Sequence, residues 1–130
     1  MTLTVIGAGY VGLVSAAVFS ELGNKVFCVD INKDRIKNLE KGKVPFFEPL
    51  LDEFIKRNLK SKRLFFTTSY AESVPKSQVI LVCVGTPPKN NGEADLSFLF
   101  AAVEEAAKHF SGYTLIVIKA KTSLGRQEPP

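Results

Sequence analysis

Disulfide, metal and membrane chemistry are all poorly provided for in this sequence. It has two cysteines and one histidine in 130 residues, and no apolar run approaches the roughly 20 residues that cross a bilayer. Cys28 and Cys83 sit inside Val26-Phe27-Cys28-Val29 and Leu81-Val82-Cys83-Val84, where a thiol serves as a small buried hydrophobe in a reducing compartment. Neither has a partner at motif spacing or a nearby base, and reactive thiols need exposed, electropositive surroundings. His109 stands late in a helix-like stretch with no Cys, His or carboxylate cluster around it, so no metal site is expected. Met1 and Thr2 lead directly into a β-like run, without a basic segment or a small-residue cleavage site. No secretory signal is read there, and a cytoplasmic location is expected.

The formal net charge is +4. Lys56-Arg57 and Lys60-Ser61-Lys62-Arg63 gather the basic residues at the end of an expected helix, where cations complement the helix dipole. Nucleic-acid binding needs a recognisable reading module, and none is present. The hydrophobic fraction, 45%, suits one core and one domain.

What the sequence has is alternation. Leu3 to Ile6, Lys25 to Asp30, Leu64 to Thr67, Val79 to Val84 and Thr114 to Ile118 read as strands. Between them, Tyr10 to Leu22, Lys33 to Lys41, Pro49 to Lys60, Ser69 to Val74 and Leu96 to Phe110 read as helices. Pro49 is placed at a helix start, where its missing N–H costs nothing, and Asp95 at the cap of the last helix. Strands made of unbroken Val/Ile/Leu runs are buried on both faces, as in a parallel sheet covered by helices. The expectation is an α/β, doubly wound Rossmann-type sheet in the order 3-2-1-4-5, with helices on both faces and ligand at the carboxyl ends of the strands. Residues 1–119 form that domain, and the polar, proline-ended stretch from Ala120 to Pro130 reads as a divergent tail.

The sharpest local feature is Gly7-Ala8-Gly9-Tyr10-Val11-Gly12, which follows a strand directly and opens a helix. Gly7 permits the tight turn, Gly9 lets the backbone approach a pyrophosphate, and Gly12 lets the helix press on the sheet. The helix N-terminus adds unpaired N–H groups and partial positive charge. Asp30 ends the second strand about twenty residues onward, placed to accept hydrogen bonds from both adenosine ribose hydroxyls. A 2′-phosphate would meet repulsion there, so NAD is favoured over NADP. Lys33 and Arg35 soften that preference, and Arg35 has a second use along the adenosine. A glycine turn in a Rossmann-like domain that binds something else, such as a flavin, stays open at this point. No Gly-Lys-Ser/Thr follows, so a P-loop is excluded.

A second loop, Gly85-Thr86-Pro87-Pro88, leaves the fourth strand at its carboxyl end and belongs beside the same crevice. Thr86 offers a hydroxyl near the middle of a dinucleotide, and Pro87 and Pro88 stiffen the loop. A purely structural turn is the other reading.

Six segments together resemble the UDP-glucose 6-dehydrogenases and their GDP-mannose and UDP-N-acetyl-mannosamine relatives. They are Val5-Ile6-Gly7-Ala8-Gly9-Tyr10-Val11-Gly12-Leu13, Cys28-Val29-Asp30-Ile31-Asn32, Pro45-Phe46-Phe47-Glu48-Pro49, Phe66-Thr67-Thr68, Val84-Gly85-Thr86-Pro87-Pro88 and Ala94-Asp95-Leu96-Ser97. The resemblance implies an NAD site built from Gly7, Ala8, Gly9, Tyr10, Val11, Gly12, Asp30, Arg35, Gly85, Thr86 and Pro87. Glu48 is assigned to packing or helix capping. The family oxidises a nucleotide sugar's C6 alcohol to a carboxylate in two NAD-dependent steps, through a thiohemiacetal and a thioester on a cysteine.

Two departures follow from the same resemblance. After the fifth strand the family carries Lys-Ser-Thr-Val-Pro-Val-Gly, whereas this chain reads Lys119-Ala120-Lys121-Thr122-Ser123-Leu124-Gly125. Aligned without a gap, Lys121 falls where a threonine near the nicotinamide belongs, and Thr122 replaces it only with a local shift. The family's nucleophilic cysteine, its lysine and its sugar-binding domain have no counterpart here, so no catalytic residue is expected in the chain and no turnover from it alone. The expected partners are NAD, a nucleotide sugar only together with the missing domain, and either a second copy or a separately encoded catalytic half. A stand-alone NAD-binding or interaction module is the alternative.

Overall fold

Ile6, Val29, Thr67, Val82 and Ile118 lie side by side, each the last residue of a strand. This alignment defines the architecture in the computed structural model, which describes residues 1–119. The strands are β1 (Thr2–Ile6), β2 (Lys25–Val29), β3 (Leu64–Thr67), β4 (Val79–Val82) and β5 (Leu115–Ile118). All pairings are parallel and the order is β3-β2-β1-β4-β5, as the alternation predicts. The expected altered tail, with Lys121 and Thr122, lies outside the described residues.

The helices are α1 (Tyr10–Glu21), α2 (Lys33–Glu40), α3 (Leu51–Lys60), α4 (Tyr70–Ser73) and α5 (Ser97–Ala107), with a 3-10 turn at Val74–Lys76. Side chains alternate across a pleated strand, so each strand supplies two cores. Leu3, Val5, Val26, Cys28, Leu64, Phe66 and Leu81 bury against Leu13, Ile36, Leu39 and Ile55 of α1, α2 and α3. Ile6, Ile80 and Val82 point the other way, onto Val74 and onto Leu99, Ala102 and Ala106 of α5. Thr4 is fully buried on that second face, and its hydroxyl is satisfied by Ser77 Oγ at 2.7 Å. Ser77 in turn donates to the Ser73 carbonyl at 3.0 Å, so the hydroxyl pair leaves no polar atom stranded.

The element boundaries differ from expectation at one informative place. The helix expected from Pro49 begins at Leu51 instead, and Leu50 holds the cap at φ 71°, ψ −20°. The Leu51 N–H donates to the Glu48 carbonyl at 3.2 Å. Proline in second place, positive φ in third and that closing bond are the features of a type II turn. Pro49 therefore serves the turn and not the helix. Leucine occupies a position that favours glycine, at a cost of roughly 1–2 kcal/mol, while glycine would lose roughly 0.5–1 kcal/mol of chain entropy. Leu50 is also largely exposed. Leu50→Gly is thus expected to stabilise the domain by up to about 1 kcal/mol, read as a higher urea midpoint at unchanged slope. A lower midpoint would contradict the strain argument.

The start of α5 departs from expectation by one residue. The helix opens at Ser97 with Leu96 at its N-cap and no side-chain cap. Asp95, expected as the cap, sits one position further out, where its Oδ1 accepts the Ser97 N–H at 3.0 Å. Bonds from Ser97 hold the Asp95 carboxyl below its usual range.

Candidate functional site

Because the strands end level, the residues that follow them share one edge of the sheet. Gly7 follows β1, Asp30 follows β2, Thr68 follows β3 and Cys83 follows β4. The Gly7 N–H donates to the Val29 carbonyl at 2.7 Å, and the Cys83 N–H to the Ile6 carbonyl at 2.8 Å, extending the sheet one step into the turns.

The three glycines of the turn differ in what surrounds them. Gly7 has φ +104°, and a Cβ built there would lie 2.8 Å from the Cys83 carbonyl oxygen. A Cβ on Gly12 would lie 1.7 Å from the Gly7 carbonyl oxygen. Both are structural requirements, of the turn and of helix against turn. A Cβ on Gly9 would meet nothing within 4 Å. Its freedom from a side chain keeps open a space that protein atoms do not fill. The same residue is the N-cap of α1, where no side chain caps the helix and the first turn has no acidic residue. The positive end of the helix is left for an outside anion.

Asp30 ties the turn to the second strand. Its Oδ2 accepts the Ala8 N–H at 2.8 Å and its Oδ1 accepts the Asn32 N–H at 2.9 Å. Arg35 Nη1 stands 3.3 Å from Oδ2, a longer and more exposed contact. Asn32 caps α2 by accepting the Arg35 N–H at 3.0 Å, which sets the arginine's place beside the acid.

Around these groups lies an open cleft of about 900 Å³. Of the residues singled out from sequence, Gly7, Gly9, Asp30, Arg35 and Gly85 line it. Ala8 is buried and takes part through its N–H, and Gly12 is buried behind the turn. Tyr10 and Val11 are exposed on the first turn of α1, outside the lining. Thr86 is half-buried and Pro87 exposed, beside Gly85 and also outside it. The cleft further uses Ile31, Asn32, Thr68, Tyr70 and Val84, together with Phe98, Ala101, Ala102 and Glu105 of α5. The last four recur at helical spacing, a stripe legible in the sequence that reads equally well as a core face.

The Tyr10 side chain turns to the loop before α3. Its hydroxyl donates to Glu48 Oε2 at 2.9 Å, and its ring lies 5.1 Å from that of Phe46. The hydrogen bond to Glu48, then that residue's charge, raise the Tyr10 pKa above its ordinary value. The helix-capping part assigned to Glu48 falls to its backbone carbonyl, while the carboxylate serves Tyr10.

Both cysteines are buried and free. Burial pushes the Cys28 thiol well above its ordinary value, with Asp30 adding to it. Burial also raises Cys83, against a smaller opposing effect of Lys119. Neither is a ready thiolate. Among the described residues no three His, Cys, Asp or Glu side chains form a group able to hold a metal ion, and no helix is long and apolar enough to cross a membrane.

Comparison with known proteins converges on the same reading. The family described as the UDP-glucose/GDP-mannose dehydrogenase family, NAD binding domain, matches residues 1–129. UDP-glucose 6-dehydrogenase TuaD of Bacillus subtilis is 42% identical over 123 residues, covering 95% of this chain and 27% of the relative. UDP-glucose 6-dehydrogenase of Rhizobium meliloti is 44% identical over 126 residues, covering 96% and 29%. The structure of a UDP-glucose dehydrogenase from Pyrobaculum islandicum superimposes with a TM-score of 0.89 at 36% identity, covering 95% of this chain and 29% of that one. A GDP-mannose dehydrogenase from Pseudomonas aeruginosa gives 0.87 at 33%, covering 92% and 28%. The chain thus spans less than a third of the length of these relatives.

Proposed function

The chain belongs to the UDP-glucose/GDP-mannose dehydrogenase family, and we propose that residues 1–119 bind NAD in the cleft above the strand ends for the oxidation of a nucleotide sugar. The observation that carries this reading is the division of labour in the glycine turn. Two glycines are locked by packing, and the third faces open space at an uncapped helix N-terminus. That is the form a backbone cradle for a pyrophosphate requires.

The other residues fit the same ligand. Asp30 keeps a free lone pair on Oδ1 and gains a second acceptor at Oδ2 if Arg35 moves off its 3.3 Å contact. Two acceptors match a ribose diol. Ile31, Phe98 and Ala101 give the cleft an apolar lining suited to a flat base. When bound, NAD supplies a hydride acceptor. The chain's own part is to hold the dinucleotide by its phosphates and ribose.

UDP-glucose is the sugar nucleotide this reading favours. Eight relatives named UDP-glucose 6-dehydrogenase match at 40% to 44% identity. Among solved structures, a UDP-glucose dehydrogenase matches at 36%, a GDP-mannose dehydrogenase at 33% and UDP-N-acetyl-mannosamine dehydrogenases at 29% to 31%. The oxidation itself needs a thiolate that these 130 residues do not offer, because both cysteines are buried with raised pKa values. The catalytic portion lies outside these 130 residues. The exposed Leu115, Val117 and Ile118 on β5 support the packing of a further protein surface there, of the same chain or of another.

Titration calorimetry tests the cofactor site. NAD and ADP-ribose are expected to bind, and NADP on the order of tenfold more weakly, because a 2′-phosphate would face Asp30. No heat with NAD or ADP-ribose at millimolar concentration would remove the assignment. UDP-glucose and NAD are expected to give no NADH with the 130 residues alone. Appearance of NADH would show that a nucleophile has been overlooked.

A further inference from the structure

Tyr10 begins α1 immediately after Gly9, the glycine whose surroundings are open. Side chains on a helix lean toward its N-terminus and cover the turn before their own Cα. Left to that tendency, the ring of residue 10 would lie over Gly9 and fill the phosphate cradle. In this structure it does not. The hydroxyl is held by Glu48 at 2.9 Å, the ring rests on Phe46, and Tyr10 is absent from the lining of the cleft.

The loop that does the holding is itself firmly set. Phe46 packs against the core beneath α1 and α3, and the Glu48 carbonyl accepts the Leu51 N–H. That turn keeps Leu50 at φ 71°, a left-handed conformation that a leucine rarely adopts. A strained residue persists where the surrounding structure over-determines it, often beside a functional site. The loop thus presents one carboxylate to the hydroxyl of one tyrosine on the phosphate-binding helix.

We propose that Glu48 is a positioning residue for the cofactor: by accepting the Tyr10 hydroxyl it holds the aromatic ring against Phe46 and keeps the pyrophosphate cradle at Gly9 open. The idea rests on the NAD-binding reading above and adds a residue to it. Glu48 touches no ligand itself. Its negative charge would, if anything, oppose phosphate binding, so a beneficial effect must come through the tyrosine.

The test is calorimetric binding of NAD, ADP-ribose and adenosine to the whole chain, with urea midpoints recorded for every variant. Glu48→Ala is expected to weaken NAD and ADP-ribose by roughly tenfold, the equivalent of one hydrogen bond. Adenosine, without phosphate, is expected to be unaffected. Glu48→Gln keeps an acceptor and is expected to bind like wild type. Tyr10→Phe, which keeps the ring but not the hydroxyl, is expected to weaken NAD as Glu48→Ala does. Adding Tyr10→Ala to Glu48→Ala removes the obstructing ring and is expected to restore affinity, an outcome that loss of loop structure would not produce. Unchanged affinity in both Glu48→Ala and Tyr10→Phe would overturn the proposal while leaving the NAD site intact, and so would failure of the double variant to recover. Tighter binding by Glu48→Gln would show a charge effect and overturn it as well. Absence of NAD binding by wild type would remove both the site and the proposal.

Discussion

Gly12→Ala is expected to destabilise the domain by on the order of 4 kcal/mol, whereas Gly9→Ala is expected to leave stability unchanged and abolish high-affinity NAD binding. The added methyl on residue 12 would start 1.7 Å from the Gly7 carbonyl oxygen. Neither side of that contact is a flexible side chain, so relief requires α1 to move off the turn. The turn is held by the Gly7 N–H bond to Val29 and the Ala8 N–H bond to Asp30. Moving it therefore breaks two bonds to the end of β2 at once. Overpacking of this kind costs 1–3 kcal/mol in ordinary cores and more where backbone meets backbone, against a total of roughly 5–15 kcal/mol for a domain. With a urea slope of about 2 kcal/mol per molar, the midpoint should fall by about 2 M. At residue 9 the same methyl meets no protein atom within 4 Å. A surface change of that sort shifts stability by no more than about 0.5 kcal/mol. What it fills is the space reserved for phosphate, so binding should fall by about two orders of magnitude, the equivalent of losing close N–H contacts with a charged ligand. A wild-type urea midpoint for Gly12→Ala, or wild-type NAD affinity for Gly9→Ala, would reverse these assignments.

That separation of roles also shows what the sequence could and could not disclose. Strand β4 reads as buried because the unbroken apolar run Val79-Ile80-Leu81-Val82 leaves no face for water, and its end is marked by the loop beginning at Gly85. The same is true of β1 before Gly7 and β2 before Asp30, which is why order and site edge were both legible. Asp30 was identified from its place after a strand, but the two backbone N–H groups it accepts depend on how the turn folds back. Leu50 carried no warning, since nothing about a leucine announces a positive φ. The Tyr10–Glu48 bond joins residues 38 apart, brought together only when α3 packs on α1. The α5 wall was hidden for another reason. Phe98 and Ala101 are apolar residues spent on a cleft, and a periodic pattern cannot distinguish a cleft from a core.

Asp30→Ala is expected to weaken NAD by between about tenfold and a thousandfold and to destabilise the free protein as well, because one carboxylate serves two purposes. Structurally, the Ala8 N–H is the more vulnerable partner: Ala8 is fully buried, and its donor bonds Oδ2 at 2.8 Å. An unsatisfied buried N–H costs about 1–3 kcal/mol, so a lower urea midpoint should accompany the binding defect. Asp30→Asn is not a mild alternative. Both carboxylate oxygens accept a backbone N–H, from Ala8 and from Asn32, so either amide orientation sets an NH₂ group against a donor. Asparagine should therefore fold little better than alanine. The functional share of the residue is separated from the structural share by changing the ligand. AMP has the ribose diol and should lose affinity in parallel with NAD. A 2′,3′-dideoxy analogue of AMP has no hydroxyl to offer and should bind wild type and Asp30→Ala alike. If both ligands weaken by the same factor in the variant, Asp30 only shapes the turn, and the ribose is held by other groups. If AMP alone weakens, the carboxylate that secures the fold at Ala8 also reads the ribose, with Arg35 at 3.3 Å as the one partner it must release.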